Sequence, residues 1–200
     1  LMPERLSVIF IFNVLFFTTR GRVFQLKAYE IPPASRTAKG QAIVNFLQLG
    51  PNEKVSAALP LNELKDFKYL FMATKKGSIK KVELASLANI RRSGLIIIKL
   101  KNDDMLEWVK PTTGKDEIIL ISAQGQAIRF KEKDTRPMGR NAAGVRGMRL
   151  KGSDFAVGMD IIDAEENISN LQVLVISENG MGKRTALKNY KIQRRGGSGI

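Results

Sequence analysis

The sequence predicts an all-β fold, a propeller-like array of four-stranded units, from two periodic features. The first is a hairpin signal: a β-rich run, a glycine turn and a second run. Its glycines are Gly21, Gly77, Gly125 and Gly180, which sets a repeat of roughly 50 residues. The second is a basic glycine turn, which follows the hairpin glycine by 19, 17, 19 and 19 residues in successive repeats. Two independent signals in one phase mark an architecture rather than scattered surface loops.

In chain order, Val14–Thr18 and Arg22–Ala28 flank the turn Thr19-Arg20-Gly21. Phe24, Leu26 and Ala28 alternate with Gln25 and Lys27, the period of a strand with two different faces. Tyr69–Thr74 and Ser78–Leu84 repeat the hairpin around Lys75-Lys76-Gly77. Ile118–Ser122 and Gln126–Lys131 repeat it around Ala123-Gln124-Gly125, with Ile128 and Phe130 alternating against Arg129 and Lys131. Leu171–Ser177 and Met181–Leu187 close on Glu178-Asn179-Gly180, and Asn-Gly is a strong two-residue hairpin signal. Asn62–Leu70 is expected to hold a helical turn with Leu64 and Phe67 inward, and Trp108 and Phe155 are assigned to the core.

The basic turns are Arg36-Thr37-Ala38-Lys39-Gly40 leading into Gln41–Leu49, Arg91-Arg92-Ser93-Gly94 into Leu95–Leu100, and Arg140-Asn141-Ala142-Ala143-Gly144 into Val145–Leu150. The fourth is the terminal Gln193-Arg194-Arg195-Gly196-Gly197-Ser198-Gly199-Ile200. Glycine admits a positive φ or a close backbone approach. Cations beside such a turn can aim at a phosphate together with exposed N–H groups. The expected phosphate contacts are Arg36, Lys39, Arg91, Arg92, Arg136, Arg140, Arg194 and Arg195 at the turns. Lys75, Lys76, Lys183 and Arg184 join them at the hairpins.

Composition agrees with a polyanionic partner. Lys+Arg 33 against Asp+Glu 19 gives +14, and 44% apolar residues suffice for a core. A membrane surface would call for a basic amphipathic helix or polybasic tail, and the sequence has neither. With no cysteine and no histidine, disulfides, thiolate metal sites and the usual general base are excluded, and a cytoplasmic setting is expected. Val8–Phe17 follows Arg5 and superficially imitates a signal peptide. It is too short to span a bilayer and precedes no small-residue cleavage site, so two buried strands turning near Asn13 are expected instead. No linker composition interrupts the chain, so residues 1–200 are expected to form one domain. Its ends, Leu1 and a stop just after Gly199, are those expected of a piece cut from something longer. Acids gather between repeats at Asp103-Asp104, Glu107, Asp116-Glu117 and Asp154–Glu166 and are expected on a face away from the cations.

Catalytic readings are weak. Gly180–Thr185 lacks the first glycine of a phosphate loop, and Arg184 displaces its Ser/Thr. Adjacent acids on a strand point to opposite faces, which disfavours metal or acid/base pairs. A DNA-binding module and a scaffold for an acidic protein remain as the two functional classes.

Over Leu15–Ile200 the chain resembles the C-terminal β-pinwheel domain of the DNA gyrase A subunit, shared with the topoisomerase IV A subunit. The resemblance is carried by Phe16-Phe17-Thr18-Thr19-Arg20-Gly21-Arg22-Val23, Lys27-Ala28-Tyr29-Glu30-Ile31-Pro32, Glu178-Asn179-Gly180-Met181-Gly182-Lys183-Arg184-Thr185 and Gln193–Gly199. The last is similar to the family's box, Q-R-R-G-G-K/R-G, with Gln193, Gly196, Gly197 and Gly199 in place and Ser198 replacing a cation. It stands in a late repeat, so the defining box is expected before Leu1. The resemblance implies strands exchanged between neighbouring blades, about four of six blades in an open arc, and double-stranded DNA bent around a basic perimeter. The further partners it implies are the remainder of the gyrase A subunit, plus the B subunit. It also implies that ATP and magnesium bind elsewhere in the complex and that no cofactor binds here. The breakage tyrosine would lie in another domain, since Tyr29, Tyr69 and Tyr190 belong to repeat elements.

Overall fold

The computed structural model describes residues 13–101 and 103–200. Among these residues every regular element is a strand or a short 3-10 turn. The strands are β1 (Asn13–Thr18), β2 (Arg22–Lys27), β3 (Val55–Pro60), β4 (Tyr69–Thr74), β5 (Ser78–Glu83), β6 (Leu95–Ile96), β7 (Leu106–Thr112), β8 (Glu117–Ser122), β9 (Ala127–Lys131), β10 (Val145–Arg146), β11 (Ala156–Ile162), β12 (Gln172–Ile176) and β13 (Gly182–Ala186). All four expected hairpins are present, as β1–β2, β4–β5, β8–β9 and β12–β13.

The sheets run β3-β1-β2-β6, β10-β5-β4-β7, β11-β8-β9 and β12-β13. Each of the first three hairpins is joined on one side by the strand that follows it in its own repeat: β3, β7 or β11. Its other side is closed by the next repeat. β6 follows β4–β5 in sequence yet pairs with β2, and β10 follows β8–β9 yet pairs with β5. Ile200 follows β12–β13 and exchanges backbone bonds with Ala127 of β9, at 2.8 and 2.9 Å. The second and third basic turns therefore each deliver a short strand to the unit before, and the fourth delivers the single residue Ile200.

Glycine is required where the exchanged segment crosses. Gly21 has φ +73°, and its carbonyl accepts the Ile97 N–H at 2.9 Å. A Cβ there would lie 2.6 Å from the Ile98 oxygen. At the other end of an exchange, Gly144 has φ +82°, and a Cβ would lie 2.5 Å from the Ile79 oxygen. A side chain at either position would both strain the backbone and push two units apart.

The core lies between units rather than inside any one of them. Leu70 and Met72 of β4 pack with Leu15, Phe17 and Val23 of the first unit, while Phe71 and Ala73 of the same strand pack with Ile118, Leu120, Ile128 and Phe130 of the third. The Phe71 and Phe130 rings meet at a centroid distance of 6.3 Å. Ile119 and Ile162 turn the other way, toward Leu187 of the fourth. A strand buried on both faces reads as a continuous apolar run, which is why β4 and β8 lack strict alternation. Each such Leu, Ile or Phe is worth about 1.5–3 kcal/mol on burial. The fourth hairpin is covered on one face only: Val173 packs inward, while Leu174 and Ile176 are 59% and 63% exposed.

Several expectations change. Asn13 is the first residue of β1, paired with Lys27, and not a turn; the remainder of the expected pair of strands, residues 8–12, lies outside the described residues. The first basic turn differs from the others: Gly40 has open space around it, and residues 41–49 form a 3-10 turn at Ile43–Asn45 instead of a strand. Phe155 is exposed under the Lys75 ammonium, 4.8 Å from its ring centre, whereas Trp108 is half-buried against the second core cluster. The helical turn is a 3-10 turn at Leu61–Leu64, with Leu64 buried and Phe67 packed beside it.

Candidate nucleic-acid interface

The rim is built on hairpin tips whose polar groups are capped by acids. Thr18 ends β1 and donates its hydroxyl to Glu53 Oε1 at 2.5 Å. Thr74 ends β4 and donates to Asp104 Oδ2 at 2.7 Å, while Asp104 Oδ1 accepts the Lys76 N–H at 2.9 Å. In the third unit Asp154 accepts the Gln124 N–H at 3.1 Å. Each acid comes from the loop entering that unit's outer strand. Asp116 caps a further turn, accepting the Thr113 N–H at 2.7 Å and its hydroxyl at 2.9 Å. Of the acids expected on a separate face, Asp104 and Asp116 are buried instead, whereas Asp103, Asp160, Asp163, Glu165 and Glu166 are exposed; Glu53 and Glu132 are buried as well. Inside, a carboxylate saturated with N–H and O–H donors spares the tip its unpaired groups.

A second set of charges is used up between units. Arg22 pairs with Glu53 and donates to the Ser93 and Gln48 carbonyls at 3.0 Å each, pinning the Arg91–Gly94 turn. Burial pushes the Glu53 carboxyl up. Hydrogen bonds from Arg22, Thr18 and the Gly50 N–H, with the Arg22 charge, overcome that and hold it down at about 2. Lys80 is fully buried, and its ammonium donates to the carbonyls of Ile97, Arg140 and Ala142 at 2.6, 2.7 and 2.9 Å. Burial lowers its pKa to about 8. Lys81, its neighbour on β5, points to the opposite face, 3.5 Å from Glu132 and over the Tyr69 ring. Arg129 faces away from Ile128 and Phe130 as alternation requires. It is nonetheless buried, paired with Glu117 and donating to the Leu187 and Tyr190 carbonyls at 3.3 Å.

The remaining cations face water. Arg36, Lys39, Lys76, Arg91, Arg92, Arg136, Arg140, Lys183, Arg184 and Arg194 are exposed, and Lys75 and Arg195 are half-buried. Arg92 lies 3.7 Å from Glu30, a surface pair of little energetic weight. Arg195 donates to the Asp134 and Arg146 carbonyls at 2.8 and 3.2 Å, so it braces its own turn. Gln193 donates its N–H to the Arg129 carbonyl at 2.7 Å, and Gly196 donates to Gly147 at 2.6 Å, which seats the box-like turn on the second and third units.

The turns meet a set of cations that the sequence reading passed over. Lys99 and Lys101 precede β7, and Arg149 and Lys151 precede β11 at equivalent positions; all four are exposed. The Lys99 N–H donates to Ala142 in the third basic turn at 3.2 Å, and the Arg149 N–H to Gly197 in the fourth at 2.7 Å. The third and fourth basic turns are thus each bonded to the basic segment of the preceding repeat. Their signal was present as Lys99-Leu100-Lys101 and Arg149-Leu150-Lys151, spaced by the same repeat as the hairpins.

The family described as "DNA gyrase C-terminal domain, beta-propeller" matches residues 13–62, 68–113, 116–163 and 172–200. The chain belongs to that family. The four gyrase-family matches coincide with the four hairpin-based repeats. The DNA gyrase A subunit of Clostridium acetobutylicum is 52% identical over 188 residues, covering 94% of this chain and 22% of the relative. Its Staphylococcus epidermidis counterpart is 43% identical over 189 residues, covering 94% of this chain and 21% of the relative. The chain therefore spans about a fifth of the length of the curated relatives it matches. Among solved structures, the C-terminal domain of DNA topoisomerase IV superposes with a TM-score of 0.85 at 30% identity, over 95% of this chain and 58% of that one. The DNA gyrase A C-terminal domain superposes at 0.76 with 28% identity, over 95% and 59%. This gyrase-type arc carries no helix long and apolar enough to cross a membrane among its described residues.

Proposed function

We propose that this chain binds duplex DNA without sequence preference and wraps it along the cationic edge. The reading rests on one observation: exposed cations recur at equivalent positions in successive units, and the third and fourth basic turns are each hydrogen-bonded to the basic segment of the preceding repeat, Ala142 to Lys99 and Gly197 to Arg149. Such an edge recognises phosphates and DNA stiffness rather than base edges. Bending 20–30 bp costs on the order of 1–6 kcal/mol, so several units must engage one duplex together.

On this reading residues 1–200 act as one DNA-wrapping domain of a gyrase A subunit. It would support ATP-dependent negative supercoiling in the cytoplasm, in complex with the gyrase B subunit, with ATP and magnesium bound outside the chain. Identities of 43% and 52% to gyrase A subunits favour gyrase as the parent. The higher TM-score to the topoisomerase IV domain supports a decatenating parent as the second reading.

A mobility-shift titration on long duplex DNA tests the binding. For ~6–10 phosphate contacts, affinity should fall by on the order of 10³–10⁵ between 50 and 200 mM salt. Binding indifferent to salt, or none at low salt, would favour a scaffold for an acidic protein instead.

A further inference from the structure

A groove of about 680 Å³ opens between the second and third units, and its rim gathers four cations from three segments. Lys76 comes from the β4–β5 tip, Lys101 from the loop entering β7, Arg146 from the exchanged strand β10, and Arg149 from just after it. We propose that this groove is the principal phosphate seat of the domain, the place where the duplex backbone enters and is held. The proposal rests on the DNA-binding reading above and assigns it to particular residues.

Three observations support it. The one carboxylate in the lining, Asp104, already accepts from the Thr74 hydroxyl, the Lys76 N–H and the Met105 N–H, so its lone pairs are directed into the hairpin tip. The side chains of Lys101, Arg146 and Arg149 make no ion pair or hydrogen bond among the described residues, although Arg146 and Arg149 are exposed at the same concave surface. Like charges held together by backbone repel one another, and a concave wall concentrates their field. A polyanion entering the groove relieves that repulsion. The groove is also stiff: the Arg146 carbonyl accepts from the Arg195 guanidinium at 3.2 Å, and the Arg149 N–H donates to Gly197 at 2.7 Å. The terminal basic turn, Gln193–Gly199, is therefore seated directly against the groove. A continuous duplex fits this succession better than a small anion, because Lys151 repeats the position of Lys101 one unit further along.

Lys101→Gln combined with Arg149→Gln tests the seat, with Lys65→Gln combined with Lys68→Gln as a charge-matched control on exposed lysines away from the groove. Binding to a 40-bp duplex is followed by fluorescence anisotropy over a salt series, with thermal melts to verify folding. The groove variant should bind on the order of 10–100-fold more weakly at low salt, with the log–log salt slope reduced by about 2. The control should stay within about threefold of wild type. Groove and control variants weakened equally, with wild type binding tightly, would overturn the seat and leave DNA binding standing. Wild type that shows no salt-dependent binding would overturn both.

Discussion

Lys80→Met is expected to destabilise the domain by about 2–4 kcal/mol. The ammonium has three protons, given to three carbonyls on two stretches of chain: Ile97 after the second basic turn, and Arg140 and Ala142 in the third. Methionine fills similar space and removes the cost of burying a charge, which favours the variant. It also leaves three oxygens without that donor, at about 1–3 kcal/mol for each one that stays buried and unpaired. The Ala142 oxygen keeps the Lys99 N–H at 3.2 Å, so the loss falls mainly on the other two. The carbonyl term wins because the carbonyls hold both ends of a strand exchange and cannot turn to water without opening it. For a domain of this size the melting temperature should drop by about 5–15 °C. Hydrogen exchange should rise first at Lys99 and Gly147, whose N–H groups bond to Ala142 and Gly77 across the same junction. A melt unchanged from wild type would show that the ammonium is not holding the junction.

The second large effect concerns Glu53. Its carboxylate collects the Thr18 hydroxyl at 2.5 Å, the Arg22 Nε at 2.9 Å and the Gly50 N–H at 2.8 Å. With its pKa held at about 2, below its ordinary 4.5, it takes up a proton later in the folded chain than in the unfolded one. Its contribution is therefore full above pH 4.5 and is lost as pH falls toward 2. The whole of it is about 3 kcal/mol, at 1.36 kcal/mol per pH unit. Glu53→Gln replaces an acceptor by an NH₂ facing donors and should cost about 2–3 kcal/mol at pH 7. Urea midpoints between pH 6 and 3 should fall more steeply for wild type than for the variant. Parallel curves would remove Glu53 from the acid response.

The hairpins and their period were legible because Gly21, Gly77, Gly125 and Gly180 each sit at a tip with positive φ, and glycine there is enforced locally. The exchange of strands was not legible from local patterning. Leu95–Ile96 looks the same whether it pairs with its own hairpin or with β2, and only the family resemblance implied the exchange. The cations divided for the same reason. Lys80-Lys81 and Arg129 lie on strands as ordinary solvent-facing charges would, but a neighbouring unit covers each face, and carbonyls or carboxylates from that unit receive them. Charge counting could not separate these internal cations from those on the edge. The Lys99-Leu100-Lys101 and Arg149-Leu150-Lys151 repeats carry a periodicity among the cations themselves that is legible without reference to glycine. Phe155 was misplaced because an aromatic next to a strand start reads as core, whereas here it forms a platform for Lys75.

A duplex-length series is the most direct check that cations of successive units act on one DNA molecule. Affinity measured at fixed low salt on duplexes from ~10 bp upward should climb until the DNA spans several units, in the range of the 20–30 bp over which bending is costly. A plateau reached by ~10 bp would mean that each unit binds DNA locally and that the edge does not work as one track.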